Sequence, residues 1–382
     1  MGRYVTSTYG EEVVRSFIPP PLPPSPPLRL DDVQLLLEQS NQSLGRLDGI
    51  ASVLPDVSFF LYLYVRKEAV LSSQIEGTQS SLSDLLLFEM DEAPGVPKAD
   101  AEQVSSYVAA LQYGLKRLRE GFPFSLRLVR EIHERLMSNG RGSEKSPGEF
   151  RTSQNWIGGT RPGKAVYVPP PSDQVMELMG QLELFLHETP GSVPPLIKIA
   201  LAHVQFETIH PFLDGNGRLG RLLITFLLCA YGVLAQPYLY LSLYFKTNRS
   251  GYYDLLMRVR ESGDWEAWLS FFLTGVKETS DQAVDAARRT LALFRHDQQI
   301  ISSAPLRTAA LPRVFQHLHA HPIVSIADAA EKLNFSFPTV SKCVDQLEKL
   351  GILKEITGRR RNRLFAYQAY LDILSEGTEP IR

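Results

Sequence analysis

Apolar residues recur at helical spacing through Leu196, Ile199, Ala200, Val204 and Phe206, which predicts a buried helix over 196–209 ending at His210. Pro211 cannot continue it, and Phe212 is placed to plug the following loop into the core. A second apolar run from Leu219 to Leu228 predicts another helix, starting just after Gly215-Asn216-Gly217. Residues 30–121 also read as helical. Within them Glu68 to Ile75 keeps the helical period, Gly77 stands at a C-cap position, and Ser81 with Asp84 can cap the next helix. Glu76 therefore falls in the last helical turn, where the macrodipole disfavours a negative charge unless a cation answers it.

Elsewhere the pattern changes. Gly148 to Pro171 reads as two short extended runs around Arg161-Pro162-Gly163-Lys164, a hairpin with turn chemistry. A helix is expected to end near Phe294, followed by a polar junction through Ser303. Three short helices then cover 311–318, 326–333 and 338–350, and strands at 353–356 and 364–367 flank a basic loop, Thr357 to Arg363. Residues 17–30 are rich in proline, which favours an extended arm along the helical body. The chain is thus read as mainly α, with a Pro-rich arm at 1–29, a helical region at 30–121, a helical core at 122–295, a linker at 296–310 and a separate unit at 311–375.

At 382 residues and 44% hydrophobic content, there is material for two or three domains. A net charge of −2 implies no whole-protein attraction to nucleic acid or to an anionic membrane. Cys229 and Cys343 fall on different predicted buried helices, which argues for a reducing compartment. The start lacks a secretory pattern, and Leu222 to Leu234 is too short to span a bilayer, so no membrane contact and a cytoplasmic location are expected.

The chemistry concentrates in His210 to Arg221, H-P-F-L-D-G-N-G-R-L-G-R. Gly215, Asn216 and Gly217 can take positive φ values that turn successive N–H groups inward at a helix N-terminus, an arrangement that binds phosphate. Arg218 and Arg221 share a helix face and can both reach one polyphosphate. Asp214 can hold Mg²⁺ against phosphate oxygens, and His210 can serve as a general base. No Walker lysine is required. His203, His210 and Asp214 match no compact metal-ligand spacing. In the basic loop Arg359, Arg360, Arg361 and Arg363 suit phosphate contacts in a DNA minor groove, although Asp345 and Glu348 balance Lys342 and Lys349 on the preceding helix.

His210 to Arg221 matches H-x-F-x-[DE]-G-N-G-R-x-x-R throughout, and the chain resembles the Fic-domain family on that ground. The resemblance implies a Fic-type helical bundle with a small β-hairpin flap and a nucleotidyltransferase activity: AMP passes from MgATP to a Ser, Thr or Tyr hydroxyl of a protein target. His210 would take the hydroxyl proton, Asp214 the Mg²⁺, Gly215 to Gly217 the phosphates, and Arg218 and Arg221 the β- and γ-phosphates. Residues 148–171 look like the flap whose free edge holds the target, and Tyr252 with Tyr253 resembles the aromatic pair beside the adenine pocket. Ser72 to Gly77, S-S-Q-I-E-G, matches the inhibitory pattern [ST]-x-x-x-E-[GN], in which Glu76 borders the nucleotide, pairs with Arg221 and obstructs the γ-phosphate. The last unit resembles a winged helix-turn-helix domain, a candidate for DNA contact. Two other readings stay open: a transcriptional regulator whose nucleotide site senses, and a hydrolase that removes AMP with Glu76 orienting water. Self-modification and a homodimer are compatible with the sequence and demanded by nothing in it.

Overall fold

The computed structural model describes residues 2–9, 12–52, 57–90, 96–140, 142–188, 193–303 and 308–380. The chain opens with β1 (Arg3–Tyr9) and β2 (Glu12–Ile18), an antiparallel pair in which Arg3 faces Ile18. Helices follow: α1 (Asp31–Ser52), α2 (Val57–Ile75), α3 (Leu82–Phe88), α4 (Lys98–Arg119), α5 (Leu126–Leu136), α6 (Val175–His187), α7 (Pro195–Ile209), α8 (Asn216–Ala230), α9 (Ser242–Thr247), α10 (Arg249–Ser262) and α11 (Trp265–Ser302). The last part comprises α12 (Ala310–Ala320), β3 (Ile323–Ser325), α13 (Ile326–Leu333), α14 (Phe337–Lys349), β4 (Lys354–Glu355), β5 (Leu364–Ala366) and α15 (Gln368–Ser375), its sheet ordered β3-β5-β4 and antiparallel.

Several expectations are met for reasons of local chemistry. Ser81 caps α3 through the Asp84 N–H while the Asp84 carboxylate accepts the Ser81 N–H, a complete capping box. Gly77, at φ 101°, turns the chain away from the end of α2. Helices α7 and α8 pack against each other at the centre of the larger core, and Phe212 between them is fully buried.

Others need correction. The Pro-rich arm begins only after Ile18, because alternation in β2 of exposed Val13 and Arg15 with buried Val14 and Ser16 makes a strand. No helix ends near Phe294: α11 runs to Ser302, its late turns anchored by buried Asp297 and Ile301, so much of the expected linker is helix. The short strand β3 and helix α15 carried too little pattern to be expected. Among the described residues, no helix is long and apolar enough to cross a membrane.

A second hydrophobic core gathers α12 to α15 together with Leu63 of α2 and Leu82 and Leu86 of α3. Helix α2 is therefore a wall of both cores: Val65, Ala69, Val70 and Ile75 belong to the first and Leu63 to the second. Truncating Leu63 to Ala should destabilise the chain by about 2–5 kcal/mol, the range for deleting a buried leucine. Urea unfolding of Leu63→Ala against wild type checks this; unchanged unfolding would mean that α2 does not support the second core.

Candidate functional site

The loop between α7 and α8 positions the motif. His210 is the C-cap of α7 in the left-handed region, φ 50° and ψ 61°, a conformation a non-glycine residue keeps only when its surroundings hold it. The hold comes from the flap base, which the sequence did not signal. Arg151 Nε donates to the His210 carbonyl at 2.9 Å, and Asn155 Nδ2 donates to the carbonyls of His210 at 3.4 Å and Phe212 at 2.9 Å. Arg151 N–H also donates to the Pro211 carbonyl at 2.9 Å. Burial, reinforced by the positive charges of Arg151 and Arg260, lowers the His210 imidazole to about 3, so the ring is neutral.

Past His210 the loop is closed by its own side chains. Asn216 exchanges two hydrogen bonds with the Phe212 backbone, donating to its carbonyl at 2.8 Å and accepting its N–H at 2.9 Å. His133 of α5 stacks on Phe212 with ring centroids 3.7 Å apart, accepts the Gly148 N–H at Nδ1, and holds the Asp214 carbonyl through Nε2 at 3.0 Å. Burial lowers His133 to about 4, matching the neutral ring this donor-acceptor pattern needs. A lone histidine on the apolar face of 126–136 carries no sequence signal of that role.

Gly215 alone has positive φ, at 77°, and acts as N-cap of α8; Asn216 and Gly217 already belong to the helix. The expected cradle of three left-handed residues is therefore corrected to a helix N-terminus reached through one left-handed glycine, and buried Asn216 braces the loop. The Asp214 side chain remains partly exposed, with Oδ1 accepting the Gly215 N–H at 2.6 Å and standing 3.6 Å from Arg218. Arg218 is buried and lies 3.4 Å from Met137 Sδ.

Arg221, one turn further, is 3% exposed. Its Nε donates to Ser72 Oγ at 2.8 Å and its Nη2 to the Ser72 carbonyl at 3.0 Å and to Glu76 Oε1 at 2.7 Å. Burial alone would raise the Glu76 carboxyl, but Arg221, with Arg218, outweighs it and holds the group below its ordinary value. A Cβ at Gly217 would stand 2.3 Å from Glu76 Oε1, so the carboxylate lies directly on the first turn of α8. Ser72, Glu76 and Arg221 thus meet as the sequence led one to expect, with Gly77 beside them as the turn.

Two expectations fail at the edges of the site. Tyr252 is 1% exposed, bonds His203 Nε2 at 2.9 Å and stacks on Phe245 at 4.6 Å, because α10 turns it inward with Leu256 and Val259. It cannot line a base pocket in this arrangement; Tyr253, 37% exposed, is the ring of the pair that meets solvent. The flap has a single bridge, Ile157 to Tyr167, around a short helical turn at Pro162–Lys164. Its edge is not wholly free, since Phe17 of β2 donates to the Val168 carbonyl at 3.0 Å and Glu12 pairs with Arg161 at 2.9 Å. In the distant loop Arg359, Arg360 and Arg361 are exposed, while Arg363 is half-buried over the Phe365 ring at 5.0 Å.

Glu207, one turn before His210, was not foreseen. Burial raises its carboxyl to about 7, against the pull of Arg221. The folded chain therefore keeps this proton where the unfolded chain, near 4.5, has lost it. Stability from this group is full below pH 4.5 and is lost as pH rises through 7. Glu207→Gln does not titrate, so its stability relative to wild type should increase between about pH 5 and pH 8. Urea midpoints of both proteins at the two pH values decide it; a pH-independent difference would show that Glu207 is ionised throughout.

Comparison with known proteins gives this geometry a context. Residues 34–116 match the Fic/DOC family N-terminal model and residues 123–228 the Fic/DOC family model. Protein adenylyltransferase Fic of Drosophila mojavensis is 29% identical over 261 residues, 66% of this chain and 48% of the relative. The protein of the same name from Drosophila grimshawi is 33% identical over 175 residues, 45% of this chain and 32% of the relative. The chain thus spans about half or less of the length of these curated relatives. Its fold is similar to that of a Fic family protein from Desulfovibrio desulfuricans G20, with a TM-score of 0.57 at 19% identity over 92% of this chain and 98% of that one. It is also similar to Fic-1 from C. elegans, with a TM-score of 0.51 at 22% identity over 68% and 74% of the two chains. Residues 123–228 thus form a Fic/DOC domain, preceded over residues 34–116 by the Fic/DOC N-terminal region.

Proposed function

We propose that this protein transfers AMP from MgATP to a hydroxyl side chain of a protein target, and that Glu76 restrains the reaction by occupying Arg221. The observation that carries the reading is the 2.7 Å ion pair between Glu76 and Arg221, laid across the first turn of α8 beside a neutral His210. The names of the curated relatives agree with it.

The target oxygen attacks the α-phosphorus as the bond to the β-phosphate oxygen breaks and pyrophosphate leaves. His210 takes the hydroxyl proton, which requires the neutral ring that burial and Arg151 maintain. The N–H groups at the start of α8, with Arg218 and Arg221, hold the phosphates and their developing charge. Magnesium fits the donors present, since it commonly takes one or two protein carboxylates and completes its shell with phosphate oxygens and water, and Asp214 is partly exposed beside the helix terminus. Bound there with the nucleotide, it would neutralise phosphate charge. Tyr253 is the better-placed aromatic neighbour for a base.

Restraint follows from shared donors. While Glu76 holds Arg221 and lies against Gly217, a terminal phosphate cannot use either group. Incubation with Mg²⁺ and ATP labelled at the α-phosphate should give weak protein labelling by wild type, at least about tenfold more by Glu76→Gly, and none by Glu76→Gly/His210→Ala. Equal labelling of wild type and Glu76→Gly would remove the restraint; absence of label in all three, with nucleotide still bound, would favour a sensing site. Loss of a preinstalled AMP by wild type in place of its addition would favour the hydrolase.

A second reading concerns the C-terminal unit, which we read as a winged helix. Exposed Arg359, Arg360 and Arg361 favour contact with duplex DNA. If so, the full chain should retard duplex DNA in a salt-sensitive way, and replacing these three by alanine should abolish the shift.

A further inference from the structure

The last turn of α2, which brings Glu76 to Arg221, is poorly provided for by its own side chains. Ser73 Oγ, Gln74 Oε1, Thr78 Oγ1 and Ser80 Oγ are all buried, and none has a hydrogen-bond partner among the described residues. Buried polar groups are ordinarily paired, so a stretch that leaves these unanswered depends on neighbours to keep its shape. Those neighbours are few. Arg249 Nε of α10 donates to the Ile75 carbonyl at 3.2 Å, and the Gln74 amide donates to the Ser80 carbonyl at 2.8 Å and to the Thr378 carbonyl at 2.7 Å.

Thr378 is buried and lies just past α15, in a short segment anchored at each residue. Glu376 accepts two bonds from Arg289 of α11, at 2.9 and 2.5 Å. Lys246 Nζ of α9 donates to the Gly377 carbonyl at 2.9 Å and also to the Glu379 carbonyl. Thr378 donates its N–H and its hydroxyl to the Ser375 carbonyl at 2.9 and 2.8 Å. At Gly377, φ 80°, a Cβ would stand 2.5 Å from Leu243 Cδ1, so the backbone lies directly on α9. Helices α9 and α11 belong to the first core through Phe245, Val284 and Ala287, while α15 gives Tyr370, Leu371 and Leu374 to the second. Residues 376–379 therefore run from the second core onto the first and meet α2 at the turn that carries Glu76.

Resting on the reading of Glu76 as the restraint, we infer that residues 376–379 are a strap that holds the turn at 74–77 in place and so keeps Glu76 on Arg221. The Thr378 carbonyl is the acceptor that ties the Gln74 amide to a part of the chain outside the turn; with the strap displaced, that amide keeps only Ser80, which belongs to the same stretch. Because α15 is packed into the second core, a shift of the C-terminal unit pulls on the strap and loosens the turn. Glu76 then leaves Arg221 while the body of α2 stays packed.

The strap is tested in the full chain with Lys246→Met and Arg289→Met. Each removes an anchor of the strap and leaves Gln74, Glu76 and the 210–221 loop as they are. The N–H groups of Glu76, Gly77 and Thr78 bond the carbonyls of Ser73 and Gln74, and in both variants they should exchange with deuterium about tenfold faster than in wild type, with α7 and α8 unchanged. With ATP labelled at the α-phosphate, both variants should label protein at least about threefold more than wild type and less than Glu76→Gly, and Lys246→Met should add nothing to Glu76→Gly. Unchanged exchange at the turn in both variants would overturn the strap, as would wild-type labelling in both while Glu76→Gly labels strongly. Faster exchange at the turn, with Glu76→Gly labelling no more than wild type, would leave the strap standing and remove the restraint by Glu76 instead.

Discussion

A guanidinium almost wholly removed from water is the constraint around which this molecule is arranged. Arg221 cannot lose its charge, and burying it without a counterion would be prohibitive, so Ser72 and Glu76 at the end of α2 are drawn against the first turn of α8. Two helix dipoles act on the same carboxylate with opposite sign. The negative end of α2 disfavours Glu76 where it stands, and the positive end of α8 together with Arg221 more than compensates, which is why the carboxyl sits below its ordinary value despite its enclosure. Removing Glu76 leaves an uncompensated cation at a helix N-terminus, the combination that attracts an anion.

The surrounding side chains make sense as means of holding that loop still. His210 keeps a left-handed backbone because Arg151 and Asn155 grip its carbonyl from the flap base, and Asn216 and His133 close the turn that follows. None of these four side chains needs to touch a substrate for the geometry to depend on it. Positioning of this kind matters most in phosphoryl-type transfers, where the protein contributes alignment and charge more than covalent chemistry.

The motif and its partner segment were legible because their physics is local. Positive φ at a helix start, two arginines three residues apart and a Ser-capped helix after a glycine turn all declare themselves within a dozen residues. Long-range contacts do not. Nothing near Arg151, His133 or Glu207 in sequence says that they converge on the 210–221 loop, and Tyr252 and Tyr253 could not be assigned to core and surface without knowing which face of α10 is covered. The extent of α11 was missed because local polarity near 295–303 hides a helix whose inward face is held by the second core, where Tyr367 bonds Asp297. The N-terminal hairpin was not expected because Arg3–Tyr9 is mostly polar and shows little alternation.

Helix α2 carries the remaining tension. It has almost no solvent face after Leu63, so its consecutive charges Arg66, Lys67 and Glu68 are all buried and meet different fates: Arg66 pairs with Glu89 at 2.7 Å, Lys67 has no hydrogen bond among the described residues and feels Glu376 and Glu379 through space, and Glu68 accepts from Tyr107 and Ser242. Packed into both cores, the helix cannot slide without disturbing each of them. Its last turn is held by separate means, with Arg249 donating to the Ile75 carbonyl at 3.2 Å and Gln74 donating to the carbonyls of Ser80 and Thr378 at 2.8 and 2.7 Å. A change that frees Arg221 therefore costs least if it unwinds or rotates the turn around Gln74 to Gly77 and leaves the body of α2 in place. The Thr378 contact makes the chain beyond α15 one of the parties to that change.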